Sequence, residues 1–401
     1  MSRAHSGGWF RRRLIRTGWL FAGLLVVAAC SSGVRQELPA SPVPSTVPPG
    51  TATAAAFLPS PALPLTVLPD AGVVGSVPAT ASPSMLPGTG IVEPAPAASG
   101  MRPTAQPHPA AAALPVNILI ADRGNNRIIE VTPDKRIVWS FQFAGLRPGH
   151  GADDAFFTPG HQTIIAGLEE EHTIVEIDYA TKRVIWQYGM PGKPGTGPNQ
   201  LNTPDDPYRL PDGTTSVADI KNCRVVFISP DKHIVKQYGR TRQCRSAPGY
   251  LNKPNGDTPL PNGHMLITEI RDSRISEVDG TGRRVWSWRS PALYPSDAQL
   301  TARGTIIVAD YSRPGQILEL SRTGQVLWKY RFPLGSPQEL DRPSLAAELP
   351  NGNIIANDDF NHRVVVIDKA TKRIVWQYGV TGRPGAGPGE LCIPDGVDWR
   401  R

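Results

Sequence analysis

The sequence predicts an all-β protein, a six-bladed β-propeller made of four-stranded antiparallel blades. Six short β-branched runs recur at intervals of roughly 40 to 50 residues. Each run is followed by two further runs of strand-like composition, and the chain ends on a segment that looks like the start of another repeat. Because repetition on this scale is typical of propellers and solenoids, the repeats predict the fold class.

The runs in each repeat account for the strands of one blade in order. The first is rich in β-branched residues, which favour strands, as in Ile-Leu-Ile-Ala-Asp at 118–122. The second, as at 127–131, leads into a turn of Pro, Asp or Gly that is typical of hairpins. The third ends in aromatic residues, as in Ile-Val-Trp-Ser-Phe at 137–141. A polar approach before the first run, such as Leu-Pro-Asn-Gly at 349–352, predicts a fourth, innermost strand.

The two ends of the repeat array predict a closed ring. The first blade begins at Asn117 without an innermost strand of its own. The C-terminal segment at 393–399, Ile-Pro-Asp-Gly-Val-Asp-Trp, resembles the beginning of a repeat. We therefore expect the C-terminal strand to complete blade one, which would remove the exposed edges that a linear array leaves.

The N-terminal part has another composition and is predicted to lie outside the propeller. A positive region with four arginines and an apolar stretch of twelve residues at 18–29 predict a signal peptide over 1–29, since the stretch is too short for a spanning helix. Pro, Ala, Ser and Thr dominate 31–114, which contains only five charged residues and cannot bury a core. We expect a disordered tether over 30–114 and the propeller over 115–401.

The end of the apolar stretch, Val27-Ala28-Ala29-Cys30, resembles the lipobox of bacterial lipoproteins. That resemblance implies that Cys30 is acylated and becomes the first residue of the mature chain. The chain would then be an exported lipoprotein on the extracytoplasmic side of a cell membrane, held there by the lipid alone. The alternative is an ordinary signal peptide in which the cysteine is incidental.

The repeats resemble the NHL-type and quinoprotein-like propeller repeats of exported bacterial proteins. The matching segments are Leu-Pro-Asn-Gly-Asn at 349–353, Asn-His-Arg-Val at 361–364 and Ile-Val-Trp-Gln-Tyr-Gly at 374–379. The resemblance covers residues 115–401 and implies the fold. It implies little about function, because these families bind very different partners.

Two repeated side-chain patterns are interpreted as scaffold. An acid and an arginine five residues apart recur in four blades, where a carboxylate and a guanidinium on facing strand ends can form a salt bridge; a polar ligand ring is the alternative. Tryptophan recurs at one position of the outer strand in five blades, and Lys236 replaces it in blade three. Large aromatics bury much surface, so we expect these side chains to pack blade against blade rather than stack a quinone.

One face of the propeller is predicted to bind a partner, either a protein or a carbohydrate. Strand order places the interblade linkers 189–204, 239–254 and 379–394 on one face, and function tends to lie on loops held by a rigid scaffold.

Five aspartates lie near the entry of an innermost strand on this face: Asp154, Asp206, Asp257, Asp297 and Asp395. They are the candidate ligand-binding residues. Each aspartate could instead hydrogen-bond its own turn, so no cofactor is required. If they converge, oxygen ligands of this kind suit Ca²⁺ in the central channel.

An enzymatic function is the alternative to a binding scaffold. Bacterial arylsulfotransferases are also exported six-bladed propellers, and in that family a channel histidine is the nucleophile. His150 approaches the channel here, but a convincing set of histidines is lacking. A lactonase-like hydrolase with a channel metal is the other enzymatic possibility. Either enzyme needs Asp154, Asp206, Asp297 or His150 to meet within metal-ligand or hydrogen-bond distance.

The net charge is +7, but the basic residues are dispersed along the chain, which argues against nucleic-acid binding.

Two cysteines of blade three are predicted to form a disulfide. Cys223 opens the third strand of that blade and Cys244 follows the fourth, so antiparallel pairing brings the two to the same rim. Export favours oxidation. A bond between them would close a loop of about 20 residues and contribute roughly 3 kcal/mol to stability.

Overall fold

The computed structural model describes residues 113–401. These residues form six separate four-stranded antiparallel sheets, which are the six blades of a β-propeller. The predicted fold class is therefore confirmed. The predicted signal peptide, the tether as far as residue 112 and the lipidation site Cys30 lie outside the described residues. Within residues 113–401, no helix has the length and apolar character needed to cross a membrane.

In the order from the central channel outward, each blade contains four strands. Blade one comprises β24 (Pro394–Asp398), β1 (Ile118–Asp122), β2 (Arg127–Val131) and β3 (Ile137–Gln142). Blade two comprises β4 (Ala155–Phe157), β5 (Thr163–Leu168), β6 (Thr173–Asp178) and β7 (Arg183–Tyr188). Blade three comprises β8 (Pro204–Arg209), β9 (Thr215–Asp219), β10 (Arg224–Ile228) and β11 (Ile234–Gly239).

Blade four comprises β12 (Pro254–Pro259), β13 (Met265–Glu269), β14 (Arg274–Val278) and β15 (Arg284–Arg289). Blade five comprises β16 (Pro295–Leu300), β17 (Ile306–Asp310), β18 (Gln316–Leu320) and β19 (Val326–Tyr330). Blade six comprises β20 (Ala346–Glu348), β21 (Ile354–Asp358), β22 (Arg363–Asp368) and β23 (Arg373–Gly379). Short 3₁₀ turns join the second and third strands of three blades: Arg123–Asn125, Ile220–Asn222 and Asp359–Asn361.

The ring closes as the sequence predicts. Strand β24 pairs with β1 in antiparallel register, with Leu119 opposite Asp398 and Ile120 opposite Val397. Val397 is 1% exposed and packs into a core cluster that also contains residues of blades two and six. The C-terminal strand thus lines the channel as the innermost strand of blade one.

The repeated tryptophans join neighbouring blades. The indole N–H of Trp139 donates to the carbonyl of Tyr179 in blade two at 2.8 Å, and that of Trp376 donates from blade six to Pro133 in blade one at 2.8 Å. In blade four Trp288 makes the contact, to Arg322 at 3.2 Å. In blade three, where lysine replaces the tryptophan, the Tyr238 hydroxyl donates to Asp279 of blade four at 3.0 Å. The prediction is confirmed for the tryptophans of four blades, whereas Trp286 of blade four donates to Glu277 of its own blade.

The acid and arginine pairs fasten loops, as predicted. The distance from Arg224 Nε to Asp219 Oδ2 is 2.7 Å. The other oxygen of Asp219 accepts the backbone N–H of Asn202, which lies in the incoming linker, at 2.7 Å. Blade four differs, because Arg284 lies 2.8 Å from Glu269 and leaves Arg274 at 3.8 Å. These residues serve as scaffold and are not a ring of ligand-binding groups.

In five of the six blades, the residue before the third strand contacts the linker that leaves the blade. In five blades the residue before the third strand has a positive φ: Asn126, His172, Cys223, Ser273 and His362. The imidazole Nδ1 atoms of the two histidines accept linker N–H groups, from Thr203 at 3.1 Å and from Ile393 at 3.2 Å. Cys223 forms a disulfide with Cys244, with Cα atoms 5.2 Å apart, which is the pairing that the sequence predicts. The linker face is therefore held close to the strand ends.

Candidate functional site

The innermost strands bring one aligned position of every blade to the mouth of the channel on the linker face. This position is the residue after the proline that opens most of these strands, and it is occupied by Asp153, Asp205, Asn255, Ser296, Ser344 and Asp395. Together with Arg123, Glu169, Tyr294 and Tyr311, these residues line a cavity of about 270 Å³. We call it the upper cavity. All its side chains except the two tyrosines are charged, amide or hydroxyl groups.

Arg123 neutralises one side of the upper cavity. Its 3₁₀ turn carries the guanidinium over the channel, where it lies 2.8 Å from Asp153 and 2.9 Å from Asp395. The same guanidinium forms an ion pair with Glu170 and lies 3.6 Å from Glu169. Burial, together with the neighbouring Glu170, raises the pKa of Glu169 to about 7. Arg123 therefore holds together four acids that would otherwise repel one another.

A second acidic group lies deeper, one residue further along several innermost strands. Carboxylate oxygens of Asp154, Asp205 and Asp206 all lie within 4.8 Å of one another. Asp297 is the fourth member, because its Oδ1 atom and Asp206 Oδ2 lie 2.9 Å and 3.0 Å from the position that a Cβ atom on Gly256 would take. Burial raises the pKa of Asp206 well above its ordinary value, and the charge of Asp297 raises it further. We call these four residues the lower acidic group.

Neutral donors orient part of the lower acidic group. The side-chain amide of Asn255 donates to Asp205 Oδ2 at 2.6 Å. Gln299 Nε2 donates to Asp297 Oδ2 at 2.8 Å, and the Thr258 hydroxyl donates to Asp297 Oδ1 at 3.3 Å. One carboxylate oxygen of Asp205 and both of Asp297 therefore have fixed hydrogen-bond partners.

The structure divides the five predicted aspartates among three environments. Asp154, Asp206 and Asp297 converge in the lower acidic group. Asp395 lies in the upper cavity and is paired with Arg123. Asp257 is fully buried, with its carboxyl beside the Ser216 side chain and the Ala218 backbone of blade three, and burial raises its pKa well above the ordinary value.

His150 lies on the linker face but not in the lining of the upper cavity. Its Nδ1 atom is 2.8 Å from Glu171, and the imidazole is one-quarter exposed. Among the described residues it therefore forms a rim pair with an acid, apart from the converging aspartates.

Sequence reasoning missed most residues that line the upper cavity, among them Arg123, Asp205, Tyr294 and Tyr311. Asp205 carried a usable signal, because it follows Pro204 as Asp395 follows Pro394. The rings of Tyr294 and Tyr311 lie 5.4 Å apart in a tilted arrangement at the cavity wall. Neither tyrosine belongs to a repeated motif, so no pattern pointed to them.

The opposite mouth of the channel contains a second cavity, also of about 270 Å³. Its walls include Phe156 and Tyr208, whose rings stack with centroids 4.4 Å apart, and Trp399. Gln299 separates the two ends, since its Nε2 atom contacts both the Tyr208 hydroxyl at 3.0 Å and Asp297 at 2.8 Å. The polar and the aromatic ends of the channel are thus chemically distinct.

Solved structures share the fold at low sequence identity. A Bacteroides caccae protein of unknown function matches with a TM-score of 0.52 and 16% identity, over 71% of this chain and 98% of that one. The virginiamycin B lyase from Staphylococcus aureus matches with a TM-score of 0.45 and 14% identity, over 67% of this chain and 85% of that one. Kuenenia stuttgartiensis hydrazine synthase matches with a TM-score of 0.41 and 14% identity, over 61% and 90% of the respective chains.

No protein-family model matches the sequence, and no curated protein matches it. The likeness to the Bacteroides caccae protein is therefore a likeness of fold, and the function has to be argued from the site itself.

Proposed function

We propose that the chain is an exported, lipid-anchored protein whose propeller binds a carbohydrate in the upper cavity. The observation that carries this proposal is the convergence of one polar side chain from each of the six blades on a single cavity of about 270 Å³. Small-molecule pockets commonly measure about 300–1,000 Å³, so the upper cavity suits a small polar ligand better than a protein loop.

The chemistry of the lining matches a polyhydroxylated ligand. Asn255, Ser296 and Ser344 offer neutral donors and acceptors, and the nearby carboxylates accept hydrogen bonds from hydroxyl groups. Tyr294 and Tyr311 add aromatic surface against which the C–H face of a sugar ring can pack. A protein partner on the same face is the alternative, and it would need contacts well beyond the cavity.

Carbohydrate binding is expected to depend on Tyr311. The full chain should bind immobilised glycans, and Tyr311→Ala should weaken binding about two- to tenfold, because an aromatic contact contributes roughly 0.5–1.5 kcal/mol. Titration of the glycan followed by calorimetry would measure the change. His161→Ala is the matched control, since His161 lines the aromatic cavity at the other mouth and should leave affinity unchanged. Absence of glycan binding, or equal affinity of both variants, would contradict the proposal.

Membrane association is expected to depend on Cys30. In the producing bacterium, Cys30→Ser should release the protein from the membrane fraction and abolish incorporation of a labelled fatty acid, because the thiol is the acylation site. Cys223 and Cys244 lie in the propeller and offer no acylation site, so a variant with both changed to serine is the control. Retention of Cys30→Ser in the membrane fraction would rule out this anchor.

A channel-metal hydrolase of the lactonase-like kind is a second candidate function. One observation favours it, namely that Asp154 and Asp206 meet with Asp205 within metal-ligand reach. A metal at such a position could polarise a carbonyl and activate water for ester or lactone hydrolysis. The sulfotransferase-like alternative lacks comparable support, because His150 is paired with Glu171 on the rim.

A further inference from the structure

Two acidic groups lie next to each other on the linker-face side of the channel. Among residues 113–401, a cationic side chain pairs with the upper group alone. The upper one, Asp153 with Glu169 and Glu170, also brings its carboxylates within 4.8 Å of one another. Arg123 lies among these three acids and forms ion pairs with them. A resident guanidinium therefore occupies the place that a metal ion would take there.

Among residues 113–401, no lysine or arginine forms a salt bridge with the lower acidic group, and Arg123 pairs with the upper acids instead. Burial is the largest influence on the pKa of each of the four carboxyls, and it raises that pKa. Three of the four side chains are almost completely buried, with Asp154 5%, Asp206 2% and Asp297 3% exposed. Buried carboxylates in mutual contact are unfavourable unless a cation or bound protons compensate their charge.

An unpartnered oxygen points into this group. Asp206 Oδ2 is buried and has no hydrogen-bond partner within the described part of the chain, residues 113–401. A Cβ atom built on Gly256 would lie 3.0 Å from Asp206 Oδ2 and 2.9 Å from Asp297 Oδ1, so both oxygens face the space that this glycine leaves open. Gly396 opens the equivalent space in blade one, where a Cβ would lie 2.5 Å from Asp154 Oδ1. The two glycines thus make room for oxygens of three converging carboxylates.

We infer that Asp154, Asp205, Asp206 and Asp297 form a calcium-binding site at the base of the upper cavity. Hard cations take oxygen ligands, and Ca²⁺ accepts about six to eight of them in flexible geometry, whereas Mg²⁺ is usually held by one or two carboxylates and several waters. Four aspartates supply most of a calcium shell and more negative charge than a magnesium site normally has. The inference goes beyond carbohydrate binding and does not depend on it.

Calcium binding is testable with the metal alone. The full chain, stripped of metal with a chelator, is titrated with CaCl₂ by calorimetry, and its melting temperature is measured with and without the ion. We expect one site and a higher melting temperature in Ca²⁺. Asp206→Asn should lower the affinity more than about 100-fold, since even residues that only support metal ligands commonly contribute 10–100-fold. Asp205→Asn is a second variant at a less buried position and should behave alike.

Asp359→Asn is the matched control, because Asp359 is also a fully buried channel aspartate but hydrogen-bonds Ser344 in blade six. It should keep the calcium affinity of the unchanged chain. Absence of calcium binding would overturn the inference. So would a calcium affinity of Asp206→Asn or Asp205→Asn equal to that of the unchanged chain, or tighter binding of Mg²⁺ than of Ca²⁺. Glycan binding in the presence of the chelator tests the proposed function separately, so failure of one can be told from failure of the other.

Discussion

A chain shortened by residues 394–401 is expected to lose its cooperative fold. The deletion removes β24, which supplies the innermost strand of blade one, and leaves β1 as an unpaired edge facing the channel. It also removes the buried side chains of Val397 and Trp399, each of which contributes roughly 1.5–3 kcal/mol or more through apolar burial. Together with the lost strand pairing, this is comparable to the whole stability of a typical domain, about 5–15 kcal/mol.

Circular dichroism during thermal unfolding would measure this effect. The expected result is the loss of the cooperative transition and rapid digestion by trypsin. Deletion of residues 400–401 alone is the control, because β24 ends at Asp398 and keeps its pairing with β1. A cooperative transition of the longer deletion at an unchanged temperature would show that the ring does not need the C-terminal strand.

The fold was predictable because the same pattern of strand-forming runs and turns recurs six times in the sequence. A β-branched run followed by two more runs and a turn needs little tertiary information to be recognised as an antiparallel blade. The scaffold contacts followed from the same repetition, as with Asp219 and Arg224, whose five-residue spacing places a carboxylate and a guanidinium on paired strand ends. At Lys236 the sequence showed that the repeated tryptophan is missing. It did not predict that the Tyr238 hydroxyl makes the contact to the next blade instead.

The candidate site was harder to predict, because side-chain direction near the channel depends on local irregularity. The pairing of β8 with β9 shifts register between Asp205 and Tyr208, and Asp206 has a φ of 49°. A regular strand would alternate its side chains between the two faces of the sheet. This bulge instead brings carboxylate oxygens of the neighbouring residues Asp205 and Asp206 within 4.8 Å of each other. Asp257 lies within the innermost strand of blade four, but the sequence does not indicate that its carboxyl lies beside Ser216 of blade three.

Arg123→Met is expected to destabilise the propeller by about 3–5 kcal/mol at neutral pH, because it leaves the buried acids around the guanidinium without their cation. Methionine keeps much of the volume of the side chain, so the loss reports on charge rather than on packing. Chemical denaturation of both chains in the presence of a chelator would measure the difference in free energy of unfolding. Arg136→Met is the control; Arg136 forms an exposed ion pair with Asp134, and its replacement should change stability too little to measure.

The destabilisation by Arg123→Met should also increase as the pH rises, which a simple packing defect would not do. Burial already raises the pKa of Asp153, and burial together with Glu170 raises that of Glu169 to about 7; loss of the guanidinium raises both further. A carboxyl whose pKa is higher in the folded than in the unfolded state favours folding at low pH and loses that contribution as the pH rises through its folded value. The difference between the two chains should therefore be small near pH 4 to 5 and grow through pH 7 and above. A difference that stays constant over this range would show that Arg123 acts through packing and not by compensating the acids.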